Sequence, residues 1–295
     1  MRRRRWVWAL GVLGACGAER PMFAGTDAAA PRDAVEDAAD NAVRPPTPDV
    51  APVDRAPSDA LAADDVVVYA HTAGTLYQLD PRSFRVTRIG DFDFPPGSAE
   101  AMTDLAVTAE GDLWGVTFTS LYRIDRETAR VTMVAPLGAG LAGYNALTFI
   151  PRGILGSREV LVAATSAGEY FQLDQSTGAP SRLGSYGALL GSSGDLVSVA
   201  GDGPTAGTFA TVTSGGREQL ARIDPRSGRA TVIGPTGTSG TYGLGYWRAR
   251  LYGFNTAGQV VTIDLATGAA TPVATERGAV WYGAGVTTLA PTAPP

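Results

Sequence analysis

A single motif recurs five times after Asp65, and this repetition restricts the fold more than any other feature of the chain. Each copy is an apolar–polar alternation that ends in Ile-Asp or Leu-Asp, followed by a short turn and a second alternation. The copies are TLYQLDPRSFRVTRIG, SLYRIDRETARVTMVA, EYFQLDQSTGAPSRLG, QLARIDPRSGRATVIG and QVVTIDLATGAATPVA. Because alternation with period two is typical of β-strands, each copy predicts a β-hairpin.

The acidic residue at the centre of each motif is interpreted as a turn former and not as part of a catalytic set. A carboxylate in this position accepts hydrogen bonds from nearby backbone N–H groups. In three copies a glycine follows where the turn favours positive φ. The five acids are Asp80, Asp125, Asp174, Asp224 and Asp264, and the three glycines are Gly178, Gly228 and Gly268.

Two further β-strands accompany each hairpin, which predicts four strands in every repeat. One set reads TDLAVT, YNALTF, GDLVSV, YGLGYW and YGAGVT, and the other reads VVVYAH, LWGVTF, VLVAAT, TFATVT and LYGFNT. Four strands in roughly 45 residues match a blade of a β-propeller. The sequence therefore predicts an all-β protein with one five-bladed propeller.

The last strand is displaced from its repeat in a way that predicts how the ring closes. The first hairpin lacks the preceding element, whereas YGAGVT near Gly283 follows the fifth hairpin and has none of its own. A C-terminal strand that completes the N-terminal blade removes the free edges of the ring. This displacement argues against an open β-solenoid. We assign residues 65–291 to the propeller and 292–295 to a tail.

The repeats resemble the LYxIDxxTGxxTxIG-type blades of bacterial envelope propellers, broadly the YncE-like, NHL-like and quinoprotein-like groups. The resemblance covers most of residues 65–291. It implies the propeller fold but little about activity, since this architecture hosts lyases, lactonases, hydrolases and binding modules.

The first residues have the layout of a bacterial lipoprotein leader. Four arginines precede a short apolar stretch, and small residues then lead to Cys16. Residues 1–15 are predicted to be a signal peptide, because this stretch is too short to span a bilayer as a helix. Leu-Gly-Ala-Cys resembles the lipobox, in which the cysteine becomes the lipidated N-terminus. Gly17 is not the aspartate that marks inner-membrane retention in some bacteria.

Residues 16–64 contain mainly alanine, aspartate and proline with scattered arginine. Such a segment has too few large apolar residues to offset the entropy of ordering, and its prolines keep it extended. We expect a disordered tether that holds the propeller away from the membrane. The predicted location is the cell envelope, with the lipid anchor in the outer membrane and the domain on its periplasmic or outer face.

Charge and composition exclude several classes of function. All 24 basic residues are arginine, so chemistry that depends on lysine is excluded. The formal charge is −5, and removal of the leader makes it more negative, which disfavours nucleic acid as a partner. A single cysteine excludes an internal disulfide and multi-cysteine metal sites. We expect a monomer.

No G-x-S-x-G, H-E-x-x-H or Walker A motif occurs, and His71 is the only histidine. His71 begins HTAG, which aligns with TSAG at Thr165 and NTAG at Asn255. These segments predict tight turns between the second and third strands of a blade. His71 is interpreted as a turn residue, with ligand contact as the alternative.

One register at the start of the inner strands carries the candidate site. It comprises Asp104, Asn145, Asp195, Gly243 and Gly283, which should surround one mouth of the central channel. Two carboxylates and an amide could bind a hard cation such as calcium, so Asp104, Asn145 and Asp195 are candidate metal ligands. The alternative is that they hydrogen-bond to the backbone at the strand starts.

Aromatic residues precede this register and could flank a sugar or a flat polar ligand. Those assigned to the candidate site are Tyr144, Tyr242, Tyr282 and Trp281. The alternative is that these rings pack between blades. Phe92, Phe94 and Tyr186 lie in the loops that lead to the same mouth.

The sequence favours a non-enzymatic binding protein of the cell envelope, with a glycan, a peptide or another envelope protein as the ligand. No catalytic residue is assigned. The alternative is a glycosidase-like hydrolase that uses Asp104 and Asp195 as its carboxylate pair, although no glutamate occupies the same register to serve as the acid.

Overall fold

The computed structural model describes residues 66–137, 143–187 and 189–294 and confirms the five-bladed β-propeller. In these residues the secondary structure is entirely β, arranged as five four-stranded antiparallel sheets, one for each blade. The signal peptide, Cys16 and the tether predicted from the sequence lie outside the described residues.

The blades follow one another along the chain, and within a blade the strands run outward from the channel in sequence order. Blade 1 contains β1 (Val68–His71), β2 (Thr75–Asp80) and β3 (Arg85–Asp91). Blade 2 contains β4 (Asp104–Val107), β5 (Leu113–Val116), β6 (Ser120–Ile124) and β7 (Val131–Pro136). Blade 3 contains β8 (Tyr144–Ile150), β9 (Val160–Thr165), β10 (Glu169–Leu173) and β11 (Pro180–Ser185). Blade 4 contains β12 (Gly191–Val199), β13 (Gly207–Ser214), β14 (Arg217–Ile223) and β15 (Ala230–Pro235). Blade 5 contains β16 (Thr241–Trp247), β17 (Arg250–Asn255), β18 (Gln259–Ile263) and β19 (Ala270–Thr275).

The C-terminal strand β20 (Gly283–Gly285) closes the ring as the sequence predicts. It pairs antiparallel with β1, placing Gly283 opposite His71 and Gly285 opposite Tyr69. Blade 1 thus combines the first and last strands of the domain in the order β20-β1-β2-β3. Its inner strand is supplied by residues about 200 positions away from the others, which removes an exposed sheet edge.

The turns within the hairpins also follow the prediction. In the third copy, Asp174 Oδ1 accepts hydrogen bonds from the N–H groups of Ser176 (2.9 Å) and Thr177 (2.8 Å). The three predicted glycines have φ between 67° and 79°. In blades 1 and 2 the same left-handed position is occupied by Phe84 and Ala129, with φ of 57° and 64°.

The core lies in layers between neighbouring blades. Trp114 of blade 2 packs edge-on against Phe149 of blade 3, with ring centroids 6.1 Å apart. Trp281 is fully buried beside Tyr77 and Phe254, at 5.1 Å and 5.6 Å. These contacts join blades 1 and 5 at the point where the ring closes, so aromatic burial supports the strand pairing there.

The chain after β20 crosses the end of the ring where the inner strands finish. Thr287 forms a parallel bridge with Val107 of blade 2, and the Thr288 hydroxyl donates a hydrogen bond to Glu159 of blade 3. The carbonyl of Thr288 accepts the N–H of Ala200 (2.7 Å) in blade 4, and further along the chain the carbonyl of Pro291 accepts that of Arg248 (2.7 Å) in blade 5. The segment Val286–Thr292, called the C-terminal crossing below, therefore covers this end of the channel.

Candidate functional site

Two carboxyl groups, Asp104 and Asp195, lie at the centre of the ring and bind its backbone. Asp104 Oδ1 accepts the N–H of Leu105 (2.8 Å), and its Oδ2 accepts the N–H of Leu147 (2.6 Å) in the next blade. Asp195 accepts N–H groups from Leu196 in its own strand and from Leu244 in the next blade.

A fifth N–H group, that of Ala284 in β20, also donates to Asp195. Each of the five inner strands thus contributes one backbone donor to the two carboxyl groups, which we call the axial carboxyl pair. Inner strands of a propeller have no further strand on their channel side, and buried N–H groups require acceptors. The axial carboxyl pair supplies them, as the backbone-binding interpretation of these aspartates expects.

Both carboxyl groups are completely buried and hydrogen-bonded to each other. Burial raises the pKa of Asp104 well above its usual range, and the negative charge of Asp195 raises it further. Burial also raises the pKa of Asp195, while hydrogen bonds from Asp104 and from the backbone oppose this shift. The two carboxyl groups therefore share one proton, because a hydrogen bond between them requires one.

Glycines occupy the same level of blades 5 and 1 because the axis has no room for more side chains. A Cβ on Gly283 would lie 2.4 Å from both Asp104 Oδ1 and His71 Nε2. A Cβ on Gly243 would lie 2.8 Å from the carbonyl carbon of Gly283. Two aspartates and two glycines in the predicted register are thus parts of one packing arrangement.

His71 ends β1 and is fully buried beside this pair, at the turn predicted from HTAG. Its Nδ1 is 2.9 Å from the carbonyl oxygen of Thr72, so Nδ1 carries the proton and donates it. Its Nε2 has no hydrogen-bond partner among the described residues. Burial lowers the pKa of His71 to about 4, so the ring is neutral at pH 7.

Asn145 does not join the axial carboxyl pair. Ala146 takes the level that the sequence pattern assigned to Asn145, because it directly precedes Leu147 as Gly243 precedes Leu244. Asn145 lies one residue earlier, in a β-bulge that blade 5 has as well, at Tyr242. Among the described residues, no group of three acidic, histidine or cysteine side chains has metal-binding geometry. Calcium binding by Asp104, Asn145 and Asp195 stays a prediction, and N–H donors on the carboxylate oxygens favour a shared proton over a cation there.

Directly above the axial carboxyl pair, the ring opens into a cavity of about 500 Å³ that we call the cup. It is lined by the residues that come directly before Asp104, Asp195, Gly243 and Gly283 in the inner strands. These are Thr103, Gly194, Tyr242 and Tyr282. Asn145 also lines it. The cup therefore has the predicted channel mouth as its opening and the axial carboxyl pair beneath its floor.

Polar groups on one side of the cup are fixed by Glu218, a buried residue of β14 that the sequence analysis did not identify. Glu218 Oε2 accepts the Ser193 hydroxyl (2.6 Å) and the N–H of Thr241 (2.9 Å). Its Oε1 accepts the hydroxyl of Thr236 (3.2 Å). Its carboxylate thereby links blade 4 to blade 5 and orients Ser193.

The predicted aromatic residues divide into two groups. Tyr242 and Tyr282 line the cup, and Tyr282 is 40% exposed. Tyr144 and Trp281 are fully buried between blades instead, where burial raises the pKa of Tyr144 to about 12. Phe118, 53% exposed at the turn after β5, lines the cup but had no marker in the sequence pattern.

The carboxyl pair does not have the geometry of a glycosidase. Such enzymes hold two carboxyl groups about 5 to 9.5 Å apart on either side of a sugar. Asp104 and Asp195 contact each other directly and are fully buried, which leaves no space for a substrate between them.

No family model and no curated protein matches this chain. Among solved structures it is similar to a chain of the nidogen/laminin complex, with 11% identity and a TM-score of 0.47, covering 75% of this chain and 98% of that one. A structure described as the de novo evolutionary emergence of a symmetrical protein is similar at 16% identity and a TM-score of 0.48, covering 77% and 99%.

A protein of unknown function from Bacteroides thetaiotaomicron is similar at 13% identity and a TM-score of 0.44, covering 73% of this chain and 62% of that one. Similarity at this level concerns the fold alone. Within the part of the chain that the structure describes, there is no helix long and apolar enough to cross a membrane.

Proposed function

We propose that this protein is a non-enzymatic binding protein of the cell envelope, tethered by a lipid on Cys16, that takes a small ligand into the cup. The observation that carries the proposal is a cavity of about 500 Å³ whose wall includes a buried acceptor, Asn145 Oδ1, without a partner among the described residues. A buried polar atom of this kind requires a partner from water or from a ligand. The volume is typical of small-molecule sites.

The chemistry around the cup supports binding in preference to catalysis. A catalytic site needs a nucleophile or an acid–base pair in contact with the substrate. The carboxylate of Glu218 is occupied by Ser193, Thr236 and Thr241. The axial carboxyl pair is likewise occupied by backbone donors. These groups stabilise the ring, and the groups that remain for a ligand are hydroxyl, amide and aromatic.

The test is retention of small molecules by the detergent-purified full chain. We would incubate it with the low-molecular-weight fraction of an envelope extract, wash it, and identify the released compounds by mass spectrometry. Ser239→Trp places an indole in the cup from an exposed position, and Ser157→Trp adds the same ring on an exposed loop outside it.

We expect the unmodified chain and Ser157→Trp to retain the same compound, and Ser239→Trp to lose it. Equal retention by all three chains would show that the cup is not the site. Release of a chemically altered compound would show that the protein is an enzyme.

The anchor is tested separately through Cys16→Ser. We expect the unmodified chain in the membrane fraction, labelled by a fatty-acid analogue, and the variant to lose both the label and the membrane association. A variant that keeps its label would exclude Cys16 as the lipidation site.

A further inference from the structure

We infer that the ligand of the cup is a neutral saccharide, an inference that rests on the proposed binding function. It follows from four properties of the cup, namely its charge, its hydrogen-bonding groups, its exposed aromatic rings and its closed floor.

The charge of the cup disfavours an anionic ligand. Among the described residues that line it, Glu218 alone is charged, and no arginine is present. The axial carboxyl pair beneath the floor retains one negative charge if it shares one proton. An anionic sugar acid, phosphate or carboxylate would therefore meet negative potential without a compensating donor.

The cup offers hydrogen-bond acceptors, which suit a ligand that carries hydroxyl donors. Asn145 directs its Nδ2 to the carbonyl of Ser192 (3.4 Å), which leaves Oδ1 as a buried acceptor without a partner. The Ser193 hydroxyl gives its proton to Glu218 and retains its lone pairs. The Ser192 hydroxyl interacts with the side chain of Tyr186, so the acceptors left for a ligand are those of Asn145 and Ser193. Adjacent acceptors on one wall match the adjacent hydroxyl groups of a sugar ring.

Aromatic rings supply an apolar surface in the same cavity. Tyr282 and Phe118 are 40% and 53% exposed, and Tyr242 also lines the cup. The ring of Tyr242 is held in place against Gly194, where a Cβ would lie 2.7 Å from Tyr242 Cδ1. A saccharide has an apolar face of C–H groups and a polar edge of hydroxyl groups, so it matches rings beside acceptors.

The cup is also closed below the ligand. The axial carboxyl pair fills the axis beneath it, and the C-terminal crossing covers the opposite end of the ring. A ligand must therefore enter and leave by the same mouth, which suits the end of a saccharide chain better than a polymer threaded through the channel.

Isothermal titration calorimetry of the detergent-purified full chain tests the inference with named probes. The neutral probes are maltose, cellobiose, lactose, N-acetylglucosamine and chitobiose. Glucuronate serves as the anionic probe, choline as the cationic probe and trialanine as the peptide probe. Tyr282→Ala removes a ring from the cup, and Asn145→Ala removes the acceptor. Val280→Ala is the matched control, because Val280 is exposed on the same loop and does not line the cup.

We expect at least one neutral sugar to bind, glucuronate to fail, and each cup variant to weaken binding about three- to tenfold. Val280→Ala should bind as the unmodified chain does. Binding of choline or trialanine without any sugar would overturn the saccharide inference and leave the proposed binding function standing. Binding of none of the probes also overturns it, and the retention experiment then decides separately whether the cup binds anything.

Discussion

Replacing Asp104 by asparagine should make the free energy of unfolding rise more steeply with pH between pH 4.5 and 6.5. In the native protein two buried groups titrate in opposite senses over this range. The axial carboxyl pair holds a proton that the unfolded chain releases near pH 4, since its pKa is raised on folding. Its contribution to stability is complete below that pH and is lost as pH rises, by about 1.4 kcal/mol per unit.

His71 acts in the opposite direction. Folding lowers its pKa from 6.5 to about 4, so the unfolded chain binds a proton that the folded chain does not. The contribution of His71 to the free energy of unfolding is therefore fully present above pH 6.5. It is lost as the pH falls towards 4, by a total of about 3 kcal/mol. The two slopes oppose each other in the unmodified protein, whose free energy of unfolding should therefore rise less from pH 4.5 to 6.5 than His71 alone would make it rise.

The two variants separate these contributions. In Asp104→Asn only Asp195 remains of the pair. Burial still raises its pKa, but without the charge of a second carboxyl group it binds its proton less strongly. The free energy of unfolding should therefore rise by up to about 2 kcal/mol from pH 4.5 to 6.5, as His71 then outweighs the carboxyl group. In His71→Asn the opposing contribution of the histidine is removed, and the free energy of unfolding should fall over the same range, by up to about 1.4 kcal/mol per pH unit from the carboxyl pair. Asparagine is chosen for position 71 because it does not titrate and its amide N–H can replace the Nδ1–H donor to the carbonyl of Thr72.

Asp104→Asn should also lower stability at every pH. The amide nitrogen cannot accept the N–H of Leu105 or of Leu147, and one unsatisfied buried donor costs about 1 to 3 kcal/mol. Urea unfolding followed by tryptophan fluorescence at fixed pH values measures both effects. Burial also raises the pKa of Glu159, but that residue is present in all three proteins. Parallel pH profiles for the unmodified protein and Asp104→Asn would refute the shared proton.

Three further predictions concern the ring itself. Gly228→Ala should lower the free energy of unfolding by about 1 to 3 kcal/mol more than Gly237→Ala, since both have φ of 73° but only the Cβ at position 228 would meet Tyr170, at 2.6 Å; equal losses in urea unfolding would contradict the packing argument. Truncation after Gly285 removes the C-terminal crossing but keeps β20, so cooperative unfolding should persist while the amides of Ala200 and Arg248 lose hydrogen-exchange protection. Truncation after Val280 removes β20 as well and should abolish cooperative unfolding, and a cooperative transition in that variant would show that the ring does not need its closing strand.

The sequence by itself determined the repeat, the strand order and the closure of the ring. These features depend on local patterns that each blade repeats. Alternating residues specify strands, and aspartate with a left-handed position specifies a hairpin turn. Even the displaced strand near Gly283 was visible, because a missing element at one terminus and an extra one at the other can be counted along the chain.

The cup and its floor depended on the tertiary structure because they are assembled from side chains of different blades. The sequence placed Asp104 and Asp195 in one register, but only the closed ring shows that five N–H groups converge on them and that they contact each other. Asn145 lies one residue before that level, because YNALTF pairs one position out of step with the other inner strands, and the sequence pattern has no marker for this offset. Tyr144 and Tyr242 occupy neighbouring positions in the repeat, yet one is buried between blades and the other lines the cup. That difference arises because successive side chains of a strand face opposite sides, and only the strand pairing shows that Tyr144 matches Thr241 and so lies one residue before the position of Tyr242.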